Sequence, residues 1–175
     1  MSNKGGEVVG EAIKKNKVEY IDRVHGNSKG WITRSCIDEN GYSQWHYKYL
    51  ELKETDLTGE NIYITLNTFY KPCRRLECIK ELNFVYIDLD YYKTKYTKEQ
   101  VIMNLESNYF NKIIPATNYI IDSGRGLALL WNINKVPSQA LPLWKAIQEY
   151  LYHQLKEFGA DRQALDATRI LRVPG

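Results

Sequence analysis

The chain has 175 residues, 43% of them hydrophobic and 26% charged, with a formal net charge of +3 and a pI near 8.6. Those values fit one good core, or two small lobes around a cleft, and they permit a polyanionic partner without demanding one. No apolar run approaches membrane-spanning length, and an odd count of three cysteines without a secretory signal argues against a disulfide framework and implies the cytoplasm.

Taken in chain order, residues Met1 to Lys17 are Gly- and Lys-rich and read as a loose arm. Short strands are expected over Gly30–Ile37 and Trp45–Leu52, joined by Asp38-Glu-Asn-Gly41, because Asn-Gly between β-rich runs is a hairpin signal. Asn61–Phe69 alternates and reads as one strand. A helix is expected next, with Pro72 near its start and Leu76, Ile79 and Leu82 on one face. A strand follows over Phe84–Leu89. Thr97, with Gln100 three residues on, makes a capping box for a helix whose apolar face is Val101, Leu105 and Tyr109. Strands Asn118–Asp122 and Leu127–Ile133 flank the link Ser123-Gly-Arg-Gly126. Ser138 is expected to cap a long helix with Leu141, Trp144, Ile147, Leu151, Leu155 and Phe158 on its face, ended by Gly159. Thr168–Val173 makes a last strand. From Phe84 on, the order is β-α-β-β-α-β, the split βαβ pattern of RRM-like domains. The fold class expected is α+β: an N-terminal α/β lobe over residues 18–83, an RRM-like lobe over 84–175, and a cleft between them.

Several short motifs carry chemistry. Asp88 and Asp90 end an apolar strand, and alternation points both the same way. Two like charges that close repel unless something positive lies between them, and a hard divalent cation is the usual answer. Acidic pairs at strand ends also occur as solvated caps. In Ser123-Gly124-Arg125-Gly126, glycines free the backbone to present N–H groups, Ser123 adds a hydroxyl and Arg125 a fork of donors, all suited to phosphate. Standing alone, the segment reads first as a plain hairpin turn. Asp166, Arg169 and Arg172 add an acid and two arginines spaced by three. The run from Leu66 to Arg75 holds Asn67, Lys71, Arg74 and Arg75 where a strand meets a basic turn.

In order, Asp88-Leu-Asp90, Ser123-Gly-Arg-Gly126-Leu and Asp166-x-x-Arg169-x-x-Arg172-Val-Pro-Gly175 resemble the motif series of the archaeo-eukaryotic primase superfamily. More narrowly, they resemble primase–polymerase domains in replication proteins of plasmids, phages and mobile elements. The resemblance runs from about Asn61 to the end of the chain. It implies an RRM-like catalytic lobe with an added lobe and a template-directed nucleotidyl transferase that uses Mg²⁺ or Mn²⁺. Asp88, Asp90 and Asp166 would be catalytic and hold the metals. Ser123, Gly124, Arg125, Gly126, Arg169 and Arg172, with Asn67 and Lys71, would bind the NTP or dNTP. Arg74 and Arg75 would meet the single-stranded DNA template. One departure is Ala128, where many relatives carry a histidine that binds nucleotide phosphate. For Tyr91 and Tyr92 two roles stay open, a structural one first and, second, stacking below the sugar to discriminate ribose from deoxyribose. The chain also stops where relatives continue, so a larger parent with a helicase or a C-terminal primase region is expected.

Two other readings stay open. A nucleotide cyclase or other palm-type transferase would carry acids in the second hairpin, where Asp122 stands alone. A non-catalytic RRM-like module would bind nucleic acid through aromatics such as Tyr86. A rolling-circle nickase is excluded, because His25, His46 and His153 are isolated in sequence.

Overall fold

A computed structural model describes residues 16–59 and 61–174. They form two compact units: the chain up to Glu81 together with residues from Thr168 on, and Leu82–Ala167. The expected loose arm lies outside the described residues up to position 15. Residues 16 and 17 are helical, and Lys17 is buried with its ammonium on the Gly59 carbonyl at 2.6 Å. Among the described residues no helix is long and apolar enough to cross a membrane.

The first unit opens with helix α1 (residues 16–25), then a hairpin of β1 (Ile32–Asp38) and β2 (Gly41–Tyr47) with Asp38 opposite Gly41, as the Asn40-Gly41 signal predicts. The strand expected over Trp45–Leu52 is cut short. Glu51 turns back to accept the Lys48 backbone N–H at 2.8 Å, and helix α2 (Tyr49–Glu54) begins there, burying Leu52. Such a reach from the third helical residue satisfies an otherwise orphaned donor at the helix start. The single strand expected over Asn61–Phe69 is two, β3 (Ile62–Thr65) and β4 (Thr68–Phe69), broken at the buried pair Leu66 and Asn67. The helix expected after Pro72 is absent. Leu76–Cys78 is one 3-10 turn, and Ile79 begins the eleven-residue strand β5 (Ile79–Leu89), whose first residues pair with β4. Leu76 is exposed while Ile79 and Leu82 are buried, so the three never share a helix face.

In the second unit, the order of strands from β5 is β5-β7-β6, with β6 (Tyr119–Asp122) antiparallel to β7 (Leu127–Pro137). This is the first-third-second order of a split βαβ sheet. Helix α3 (Lys98–Asn104) has the expected box: Thr97 N–H donates to Gln100 Oε1 at 2.9 Å, and Gln100 N–H to Thr97 Oγ1 at 3.3 Å. Helix α4 (Leu141–Leu155) buries Trp144, Gln148, Leu151 and Leu155, but leaves Ile147 exposed. Ser138 is not its cap. It starts a 3-10 turn, and Ala140 stands at the cap position.

The last strand departs from the split βαβ scheme. Strand β8 (Ile170–Arg172) pairs antiparallel with β3 of the first unit, giving the order β2-β1-β3-β8. The β5 edge where a fourth strand would lie is closed in another way. Backbone groups alternate edges along a strand, so residues 84, 86, 88 and 90 present theirs on one side. Trp144 Nε1 donates to Phe84 O at 2.8 Å, Tyr86 N–H to Gln148 Oε1 at 3.1 Å, Asp161 N–H to Asp88 O at 2.8 Å, and Asp90 N–H to Gly159 O at 2.8 Å. Two side chains of α4 and the stretch from Gly159 to Asp161 thus take the place of a strand, and these backbone groups are satisfied.

Candidate active site

Strand β5 delivers Asp88 and Asp90 side by side on one face, each half-buried. The charge pair is answered in part by the chain itself: Lys93 Nζ lies 2.6 Å from Asp90 Oδ2. The Asp90 carboxylate in turn holds the Lys93 ammonium above its usual range. Asp90 lies just past Leu89, with its N–H bound to Gly159 O and its O facing Gly159. A Cβ at Gly159 would stand 2.6 Å from Asp90 O, and the residue sits at φ +81°, so both space and dihedral require glycine there.

The turn Ser123–Gly126 packs on the same strand end. A Cβ at Gly126 would lie 2.7 Å from Leu89 O and 3.6 Å from Asp90 Oδ1, so the absent side chain is what lets the turn approach the carboxylate. The turn is closed internally. Ser123 N–H donates to Gly126 O at 3.0 Å, Gly126 N–H to Ser123 Oγ at 3.0 Å, and Gly124 N–H to Asp122 Oδ1 at 2.7 Å. The Ser123 hydroxyl also donates to Gly126 O at 3.0 Å. The phosphate-facing N–H groups expected here are therefore engaged within the hairpin, and the exposed Arg125 is the turn's outward donor. Lys98 pairs with Asp122 at 2.9 Å; that hydrogen bond, with the Gly124 N–H, holds the Asp122 carboxyl below its usual range.

Asp166 is brought to the same strand by its backbone. Tyr86 Oη donates to Asp166 O at 2.5 Å, and Tyr86 shares a face with Asp88 and Asp90. The Tyr86 ring is itself held edge-on by Trp144, centroids 5.8 Å apart. The second unit thus places Asp88, Asp90 and the Ser-Gly turn at the end of one strand, with the Asp166 backbone against Tyr86 of that strand and its side chain exposed. Among the described residues no group of three or more His, Cys, Asp or Glu side chains stands in a metal-holding arrangement.

Arg172, Arg169, Asn67, Arg74, Lys71 and Arg75 belong to the first unit. Arg172 lies on β8 opposite Tyr63 and donates to Asn61 Oδ1 at 2.6 Å. Arg169 is half-buried, just before that strand. Asn67 is fully buried in the break between β3 and β4. Arg74 is committed to structure. Its Nε donates to Gln44 Oε1 at 3.2 Å, and its two terminal nitrogens to Thr168 O at 3.1 Å and Tyr42 Oη at 3.2 Å. Burial and then the Arg74 charge push the nearby His46 imidazole below its usual pKa. Lys71 and Arg75 are exposed. Tyr92 is exposed with Lys93 over its ring, and Tyr91 opens the 3-10 turn after Asp90. Ala128 is nearly buried on β7 opposite Ile121. Sequence reasoning passed over Lys93, Lys98 and Gln148. The spacing of Lys93 three residues after Asp90 was the one available signal.

A solved structure now bears on this geometry: the AEP domain of the cyanophage S-2L primase–polymerase superposes with a TM-score of 0.62 at 14% identity, covering 91% of this chain and 80% of that one. The chain has the fold of an AEP domain. A replication protein from Clostridium perfringens is 75% identical over 164 residues, 94% of this chain. The chain spans only 40% of that relative's length. No family model matches the chain.

Proposed function

We propose that this chain is the catalytic domain of a metal-dependent primase–polymerase, which joins NTPs or dNTPs on single-stranded DNA during replication of a mobile element. The observation that carries the reading is the strand end of β5, where two carboxylates on one face meet a Ser-Gly turn packed onto Asp90 through Gly126, in a chain with the AEP fold. The donors are carboxylate oxygens, the ligand type that suits Mg²⁺ or Mn²⁺. Asp88 and Asp90, joined by Asp166, would hold the metal. Bound there, a divalent ion lowers the pKa of the attacking hydroxyl and neutralises charge on the leaving group. Arg125 offers a fork of donors to a polyphosphate. Lys93 neutralises Asp90 and gives way, on its flexible stem, to a stronger cation. In the parent protein, the remaining length would carry a helicase or C-terminal primase region.

Ala128 favours a second reading, an AEP-fold module that binds nucleic acid without chemistry, since it offers no donor where similar domains carry a histidine. One experiment separates the two. Single-stranded DNA, labelled NTPs or dNTPs, and Mg²⁺ or Mn²⁺ are incubated with the wild type and with Asp88→Ala. Metal-dependent product from the wild type alone supports the polymerase. Normal product from Asp88→Ala sinks the site assignment. Neither product nor nucleotide binding by the wild type favours the binding module.

A further inference from the structure

A surface of the first unit carries chemistry that the proposed reaction does not use. The Lys48 ammonium donates to the Lys29 carbonyl at 3.2 Å and lies 4.5 Å from the centre of the Trp31 ring. The Lys80 ammonium reaches the same carbonyl at 3.5 Å and lies 5.8 Å from the centre of the Tyr70 ring. Two positive groups therefore converge on one neutral oxygen. Among the described residues neither forms an ion pair with a carboxylate. Lys29 itself is exposed and adds a third positive charge. The acids nearby are occupied, Glu51 by the Lys48 backbone N–H and Glu81 by the Thr68 hydroxyl.

The platform under these groups is fixed. Trp31 and Phe69 exchange both backbone hydrogen bonds, at 2.8 and 2.9 Å. A Cβ at Gly30 would lie 2.3 Å from Thr68 Oγ1, so residues 29–31 lie flat on β4 with no side chain between them. Tyr70 follows directly, 58% exposed. Rings and charges held by a rigid ladder lose little freedom on binding.

We propose that this surface binds single-stranded nucleic acid, with a phosphate bridging the Lys48 and Lys80 ammonium groups and an unpaired base stacked on Tyr70 beside Trp31. A phosphate satisfies two convergent ammonium groups that one carbonyl oxygen serves poorly. An exposed ring beside that phosphate offers a base its face, and bases of any sequence stack. A duplex hides its bases and gains only the charge. Assigning the bound strand as template rests on the polymerase reading; the binding itself rests on these five side chains.

The test is anisotropy of labelled oligothymidylate, in EDTA and without nucleotide, across a salt series. Wild type is compared with the Lys48→Gln/Lys80→Gln double variant and with Tyr70→Ala, the fold of each checked by circular dichroism. The double variant should flatten the slope of log K against log salt by about 0.7, the contribution of the one single-strand phosphate that the two ammonium groups share. Tyr70→Ala should weaken binding about tenfold with the slope unchanged. Folded variants that bind with wild-type affinity and slope overturn the proposal, and so does a duplex that competes as well as the single strand. Oligonucleotide binding of the expected kind with no synthesis under any metal sinks the polymerase reading alone. Synthesis by wild type, with the variants binding normally, sinks this one alone.

Discussion

Gln148→Met tests how the β5 edge is closed. Gln148 is fully buried on α4, with Oε1 3.1 Å from Tyr86 N and Nε2 3.5 Å from Ala164 O. Methionine keeps the length and roughly the volume, so no cavity opens and the loss is confined to hydrogen bonding. The Ala164 contact is at the limit of a hydrogen bond and contributes little. What remains is a buried Tyr86 N–H without an acceptor, which costs about 1–3 kcal/mol. For a chain of this size, the middle of that range lowers Tm by about 4–8 °C. Thermal unfolding followed by circular dichroism gives the shift, and amide hydrogen exchange gives its location. Exchange should rise at Tyr86 while β6 and β7 stay protected. A Tm within about 1 °C of wild type, with Tyr86 exchange unchanged, refutes the idea that a helix side chain stands in for the fourth strand.

Gly126→Ala drives a Cβ against Leu89 O at 2.7 Å and forces the turn or the strand end to move, costing about 1–3 kcal/mol; nucleotidyl transfer should fall at least tenfold, measured as primer extension. Thr97→Ala removes the acceptor for Gln100 N–H and should cost about 1 kcal/mol, read by urea denaturation. Arg74→Gln removes the charge that adds to burial in lowering the His46 pKa, so that pKa should rise in an NMR titration yet stay below its ordinary value. The folded His46 pKa is depressed, so its contribution to stability is present above the unfolded value of about 6.5 and declines as pH falls toward the folded value. In Arg74→Gln, that decline should be smaller.

Much of the second unit was legible because it obeys short-range rules. Short apolar runs marked the strands around Asp88 and on either side of Ser123, and the Thr97–Gln100 spacing marked a helix start. The alternation of side chains along a strand put Asp88 and Asp90 on one face. Leu76, Ile79 and Leu82 misled because a spacing of three fits a helix, whereas the pairing of β4 with Ile79–Glu81 is a long-range fact. The partner of β8 was illegible for a related reason: a three-residue strand fits any open edge. Gln148 was unreadable as a structural residue, since an amide on a helix normally signals solvent. In the site, the turn's glycines were visible, but not that Ser123 and Asp122 would absorb the N–H groups those glycines expose.

The pairing of β8 with β3 sets a timetable for a nascent chain. The second unit is one uninterrupted stretch, complete once Ala167 has emerged, while the first must wait for Ile170–Arg172, synthesised more than a hundred residues after its partner Ile62–Thr65. Until then β3 is paired only with β1, and its other side is an open ladder able to recruit a foreign strand. Refolding should therefore show an early phase from the inner unit and a later one from closure of the outer sheet, because widely separated segments meet slowly. Vectorial synthesis thus ripens the segment bearing Asp88, Asp90 and Asp166 before the segment bearing Arg172, and a ribosome stalled before Thr168 would display a folded insert within an unfinished frame.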